Sequence, residues 1–181
     1  MDQQGTAEKW AEWRNDEPPA VIAAKAATLG CRLEQARAGG GDLVIIDTPP
    51  QAQGEAREAA TVADLILIPC RPSAFDLDAI KQTARMAKDS GKPAYVVVNA
   101  GPHSGTVIFD DVSAVVKTFG LEIAPHRLTD RAAFRRSARQ GRAVMETEPD
   151  GKAAEEVGNL YRWLTGVLGI ARPTKRKRSA A

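Results

Sequence analysis

The chain has 181 residues, of which 43% are hydrophobic and 27% charged, and this length suits one domain with a buried core. No apolar run reaches the roughly 18 residues of a membrane helix, and Cys31 and Cys70 lack the spacing of a disulfide framework or zinc site. The formal charge of +2 is uneven, because residues 172–178 hold five cations and the rest sums to −3. We expect a cytoplasmic protein with one domain over 1–170 and a basic, disordered tail over 171–181.

Short apolar runs alternate with helical patterns along the chain. In order, the sequence predicts a strand at 20–23, a helix at 24–38, strands at 43–46 and 65–68, a helix at 76–88, a strand at 94–98, a helix at 106–118, a weaker strand at 121–124, and helices at 130–140 and 151–168. Asp76 and Asp130 are the predicted N-caps of two helices. The strand runs are nearly unbroken by polar residues, as in parallel sheets. The alternation therefore predicts a doubly wound α/β domain.

Polar residues follow two of the predicted strands. Asp47 comes directly after the run Leu43–Ile46, and Asn99 comes directly after Val96–Val98. Open α/β sheets bind ligands beyond the carboxyl ends of their strands, where an aspartate can hold Mg²⁺ and an amide can pair with a base edge. From the residues alone, Asp47 fits a turn or helix cap equally well, and Asn99 fits a turn-stabilising residue better.

Basic residues cluster in the last third of the chain. Arg131, Arg135 and Arg139 are spaced four apart on a predicted helix and would form a stripe that contacts phosphates without reading sequence. The tail adds four more cations, Lys175, Arg176, Lys177 and Arg178. The alternative is that both groups are simply solvated. The stripe would then be a solvent-exposed helix face with acidic residues nearby.

Taken together, these segments resemble the ParA-type partition ATPases, a deviant P-loop family related to the MinD division-site proteins. The residues that carry the likeness are Asp2–Ala7 with Trp10, Asp42–Pro50, Asp64–Pro69, Pro72–Leu77, Asn99, Pro125 and the pattern from Arg131 to Ala154. Each segment is a weak signal alone, and their order and spacing carry the resemblance. Gln3 departs from the family, which has proline there.

The resemblance implies a three-layer fold of P-loop NTPase type, with a mainly parallel sheet between helices. It implies ATP and Mg²⁺ as cofactors, a homodimer, non-specific DNA binding on the nucleoid, a ParB-like partner, and a role in segregating a plasmid or chromosome. Carried over to this chain, Asp2 would orient the attacking water, Asp47 would hold Mg²⁺ through water, and Arg131 would contact DNA. Asn99 and Pro125 would lie against adenine.

The phosphate-binding loop of this family is missing from the sequence. The two Gly-Lys pairs of the chain, Gly91-Lys92 and Gly151-Lys152, are followed by Pro93 and Ala153, where Ser or Thr is required. The resemblance implies that the family's first strand, loop and helix would precede Met1, so we expect an N-terminally incomplete domain without significant ATP hydrolysis. We also expect the apolar strand over 43–47 to have an exposed edge.

Three interpretations remain open at this point. The chain is the C-terminal part of a partition ATPase, or a non-catalytic ParA-like protein that binds DNA or a partner and modulates a full-length relative. The third is an unrelated α/β binder that shares only the strand-end acids, and the pattern from Arg131 to Ala154 weighs against it.

Overall fold

A computed structural model describes residues 5–15, 18–49, 53–103 and 106–170. The helices are α1 (Thr6–Trp13), α2 (Leu29–Ala38, after a 3-10 turn at Ala26–Thr28), α3 (Gln53–Val62), α4 (Ala74–Ser90), α5 (Thr106–Thr118), α6 (Ala132–Arg139), α7 (Val144–Thr147) and α8 (Lys152–Val167), and the strands are β1 (Ile66–Cys70), β2 (Ala94–Val98) and β3 (Glu122–Ile123). None of these helices is long and apolar enough to cross a membrane.

The three strands form a parallel sheet in the order β1-β2-β3. Ile66 lies opposite Ala94, and Tyr95 lies opposite Glu122. Each connection between neighbouring strands contains a helix, α4 or α5, as parallel pairing requires. The predicted α/β class is confirmed, with a three-stranded parallel sheet flanked by helices.

The two faces of β2 pack against different helices. Val96 and Val98 are buried in the main core, which includes Ile80 of α4 and Val116 of α5. On the opposite face, the ring of Tyr95 meets the ring of Trp163 of α8 edge-on, with 4.9 Å between centroids. Adjacent strand residues point to opposite faces, so these contacts place helices on both sides of the sheet.

Two of the predicted strands are wrong. Residues 20–23 and 43–46 have no strand partner among the described residues. Val44 is 46% exposed and Ile45 is 82% exposed. An apolar run becomes a strand only when a neighbour accepts its backbone hydrogen bonds, and residue type alone does not supply that neighbour. The expected exposed strand edge over 43–47 is therefore not found, since these residues are irregular, with Val44 and Ile45 exposed and Leu43 and Ile46 half-buried.

The predicted helices are confirmed, but both N-cap assignments are wrong. Ser73 caps α4, since its hydroxyl accepts the backbone N–H of Asp76 at 3.2 Å and also bonds that residue's carboxylate. Asp130 precedes the N-cap of α6, which is Arg131. The helices α1, α3 and α7 lie outside the predicted helical patterns. The helix α3 presents mainly alanines rather than an apolar stripe, and α7 is a single turn.

Candidate functional site

An open cavity of about 400 Å³ lies at the carboxyl ends of β1 and β2. Its lining consists of Arg71, Asn99, Ala100, Thr129, Asp130, Arg131, Phe134 and Arg135. Arg71 directly follows β1 and Asn99 directly follows β2, while the remaining polar residues come from the loop before α6 and from its first turns. This is the edge at which open α/β sheets bind ligands.

Asn99 is held at the rim by its backbone. Its N–H donates to the carbonyl oxygen of Cys70 at 2.9 Å, which extends the pairing of β1 and β2 by one residue. Ala100 then takes a φ of 51°, a left-handed conformation that is uncommon for a residue with a Cβ, and the chain turns. The side chain of Asn99 is left exposed at the end of the strand. An amide there can donate and accept at once.

Arg131 and Thr129 share one carboxylate, that of Glu156 on α8. Thr129 donates its N–H to Oε2 at 3.0 Å and its hydroxyl to Oε1 at 2.8 Å. Arg131 donates Nε and Nη2 to Oε1 at 3.1 and 2.7 Å. Burial raises the pKa of Glu156, but the hydrogen bonds from Arg131 and Thr129 outweigh burial and leave that pKa below its ordinary value. The hydrogen bond to Glu156 raises the pKa of Arg131. Both groups are therefore charged at neutral pH.

The predicted arginine stripe contains two helical members rather than three. Arg131 is the N-cap of α6, with an extended φ of −118°, so it does not continue the helical face. Arg135 and Arg139 lie on α6 and are exposed. Nη1 of Arg135 lies 2.6 Å from Oδ1 of Asp130, an exposed ion pair of the kind that contributes little to stability.

The remaining predicted site residues that the structure describes, Asp47, Pro125 and Arg139, do not line the cavity. Asp2 and residues 175–178 lie outside the described residues. Asp47 and Pro125 are described and exposed, Asp47 in an irregular segment and Pro125 in the loop after β3. Within the described ranges, no group of three or more His, Cys, Asp or Glu side chains is placed to hold a metal. One carboxylate does not make a preformed Mg²⁺ site, so Asp47 alone does not define one.

Sequence reasoning missed four residues of the site. Arg71 directly follows β1, but the predicted strand ends at residue 68, so the rule that selected Asn99 does not select it. Phe134 belongs to the pattern after Arg131, and its place in the sequence does not distinguish a cavity residue from a core residue. The pairing of Thr129 with Glu156 spans 27 residues, and no local spacing signals it.

The side chains that line the cavity are suited to binding a ligand. Its guanidinium groups and amide can hold an anionic, hydrogen-bonding ligand, and Phe134 adds an aromatic surface. Burial, with a smaller contribution from Asp76, raises the pKa of the nearby Cys70 thiol, which therefore stays protonated at neutral pH.

A scan against protein-family models and a search of curated proteins give no match to this chain.

Proposed function

We propose that the chain is a ParA-like partition protein that binds an adenine nucleotide in this cavity and associates with DNA non-specifically. The supporting observation is that Asn99 shares the cavity with Arg71 and Arg131 at the carboxyl edge of a parallel sheet. A strand-end amide can pair with the edge of adenine, and guanidinium groups can bind phosphate. The order of the ParA-like segments along the chain supports the same proposal.

On this proposal the chain binds ATP without turning it over. Phosphoryl transfer depends on a loop and a lysine that position and neutralise the phosphates. The sequence contains no Gly-x-x-x-x-Gly-Lys-[Ser/Thr] segment, which would supply both the loop and its lysine. A second copy of the chain and a ParB-like protein are the proposed partners in segregating a plasmid or chromosome. ATP turnover that disappears in Asp47→Ala would overturn the non-hydrolytic part of the proposal.

Nucleotide binding is tested by fluorescence anisotropy with labelled ATP. Asn99→Ala should weaken ATP binding about tenfold, the effect expected when the hydrogen bonds to the base are removed. Gln82→Ala removes an exposed amide from α4 and should leave the affinity unchanged. Failure of the wild-type chain to bind ATP, or equal affinities of wild type and Asn99→Ala, would contradict the proposal.

DNA binding is tested by the salt dependence of duplex affinity. Arg135 and Arg139 lie exposed on α6, and removing one arginine–phosphate contact should reduce the slope of log K against log salt by roughly 0.9. The double variant Arg135→Ala/Arg139→Ala should therefore have a clearly shallower slope. Arg57→Ala/Arg85→Ala makes the same charge change on α3 and α4, and an equal effect there would show that only net charge matters.

A further inference from the structure

We propose that Glu156 is a positioning residue that holds the Arg131 guanidinium at the cavity, where Arg131 contacts the phosphate groups of the bound nucleotide. This inference rests on the proposed function and deepens it. It gives Arg131 a different partner from the DNA that the sequence resemblance implies.

The first argument is the geometry of the guanidinium. Glu156 Oε1 accepts from Nε and Nη2 of Arg131. A guanidinium carries five N–H donors, so this contact leaves three, including both on Nη1. The side chain of Arg131 is 21% exposed and lines the cavity. The remaining donors are therefore available to a ligand while the group itself is held in one orientation.

The second argument is that Glu156 is itself anchored to the sheet. Thr129 donates to both carboxylate oxygens of Glu156, is 4% exposed and pairs with Gly101 in a parallel bridge beyond β2. A continuous set of contacts thus runs from the sheet through Thr129 and Glu156 to Arg131. An arginine fixed before binding loses little rotamer entropy when the ligand arrives, and this raises affinity.

The third argument is charge. The lining contains three arginines and one aspartate, and Glu156 adds a second carboxylate against Arg131. Asp130 pairs with Arg135 and Glu156 with Arg131, so the cavity has one positive charge in excess. Arg135 is 65% exposed, so it is the less fixed of the two arginines on this side of the cavity. Arg131 is positively charged and held in a fixed position. Its planar guanidinium can donate several hydrogen bonds to one phosphate group.

The test compares ATP with adenosine, which has the same base and sugar but no phosphate. Glu156→Gln should weaken ATP binding about tenfold and change adenosine binding less than about twofold, because only the phosphate contact depends on the orientation of Arg131. Glu155→Gln alters the neighbouring exposed carboxylate on α8 and should change neither affinity. Isothermal titration gives the affinities, and thermal melting checks that each variant is folded.

A second variant keeps the inference testable if Glu156→Gln does not fold. Arg131→Lys retains the charge but not the forked donor geometry, and it should weaken ATP binding and spare adenosine in the same way. Equal losses for ATP and adenosine would assign Glu156 a purely structural role and overturn the inference. ATP affinities within about twofold of wild type in both variants would also overturn it, while leaving the proposed function intact. A wild-type chain that binds no ATP overturns both.

Discussion

Arg14 is a buried cation whose hydrogen bonds join two distant parts of the chain. It is 5% exposed, and its two terminal nitrogens lie 2.7 and 2.9 Å from the two carboxylate oxygens of Glu146. Nη1 also donates to the carbonyl of Gly141 at 2.9 Å, and the ring of Trp10 lies 4.7 Å from the guanidinium carbon. The forked pairing is the strong form of an arginine–carboxylate contact.

This pair predicts an acid-sensitive contribution to stability. The hydrogen bonds from Arg14, and next the N–H of Ala143, lower the pKa of Glu146 to about 2. A carboxyl whose pKa is lowered on folding stabilises the fold above its ordinary pKa and loses that effect as pH falls toward the lowered value.

Glu146→Gln should therefore lower the free energy of unfolding by about 1 kcal/mol at pH 7, a modest value because the Glu146 side chain is 34% exposed. The difference from wild type should shrink as pH falls from 4.5 to about 2. Urea denaturation across this range measures it, with Glu58→Gln as the exposed control. A difference that stays constant with pH would contradict the assignment.

The helix α1 sits against the turn after α6 because that turn contains glycine. Gly141 has a φ of +63°, and a Cβ there would lie 2.5 Å from the carbonyl carbon of Trp13 and 2.7 Å from the backbone nitrogen of Arg14. The position therefore needs glycine both for its left-handed backbone and for the close approach of α1. The hydrogen bonds of Arg14 depend on the same approach.

Gly141→Ala should destabilise the protein by at least about 1–2 kcal/mol, since the left-handed conformation alone costs that much for a residue with a Cβ. Limited proteolysis should then cut earlier near α1. Gly166→Ala is the matched control, because Gly166 lies in α8 with nothing within 4 Å of the added Cβ. That change should stabilise the protein by up to about 1 kcal/mol. Similar stabilities for the two variants would mean that α1 does not pack on Gly141.

At the scale of the molecule, the described residues include an unpaired edge of the sheet together with exposed apolar side chains. Ile66 N–H and Cys70 C=O bond toward β2, so Leu67 and Pro69 direct their backbone groups to the other side, where no described strand pairs with β1. Pro69 has no N–H to donate, which limits pairing along that edge. Ile22 and Ile45 are 62% and 82% exposed.

We therefore expect concentration-dependent self-association of the purified chain, measured by analytical ultracentrifugation. Ile45→Lys should reduce association and change the free energy of unfolding by less than about 0.5 kcal/mol, as is usual for an exposed position. Ala38→Lys adds the same charge at another exposed position and should leave association unchanged. A loss of stability of several kcal/mol in Ile45→Lys would instead mean that residues 43–46 form a buried strand.

Local pattern in the sequence determined the α/β class, the strands β1 and β2 and most of the helices. Unbroken apolar runs indicate the buried strands, and apolar residues at helical spacing indicate the helices. The rule that ligands meet the ends of parallel strands also selected Asn99. The sequence did not determine which residue is the N-cap of a helix. Ser73 and Asp76 are both good capping residues, and the backbone hydrogen bonds choose between them.

Tertiary structure alone decided the rest. Whether residues 43–46 form a strand depends on a neighbouring strand, not on their own apolar character. The cavity exists because the loop before α6 returns over the ends of β1 and β2. The contact of Arg131 with Glu156 spans 25 residues, and that of Arg14 with Glu146 spans 132. Such partners are set by how helices pack in space, and no spacing along the chain encodes them.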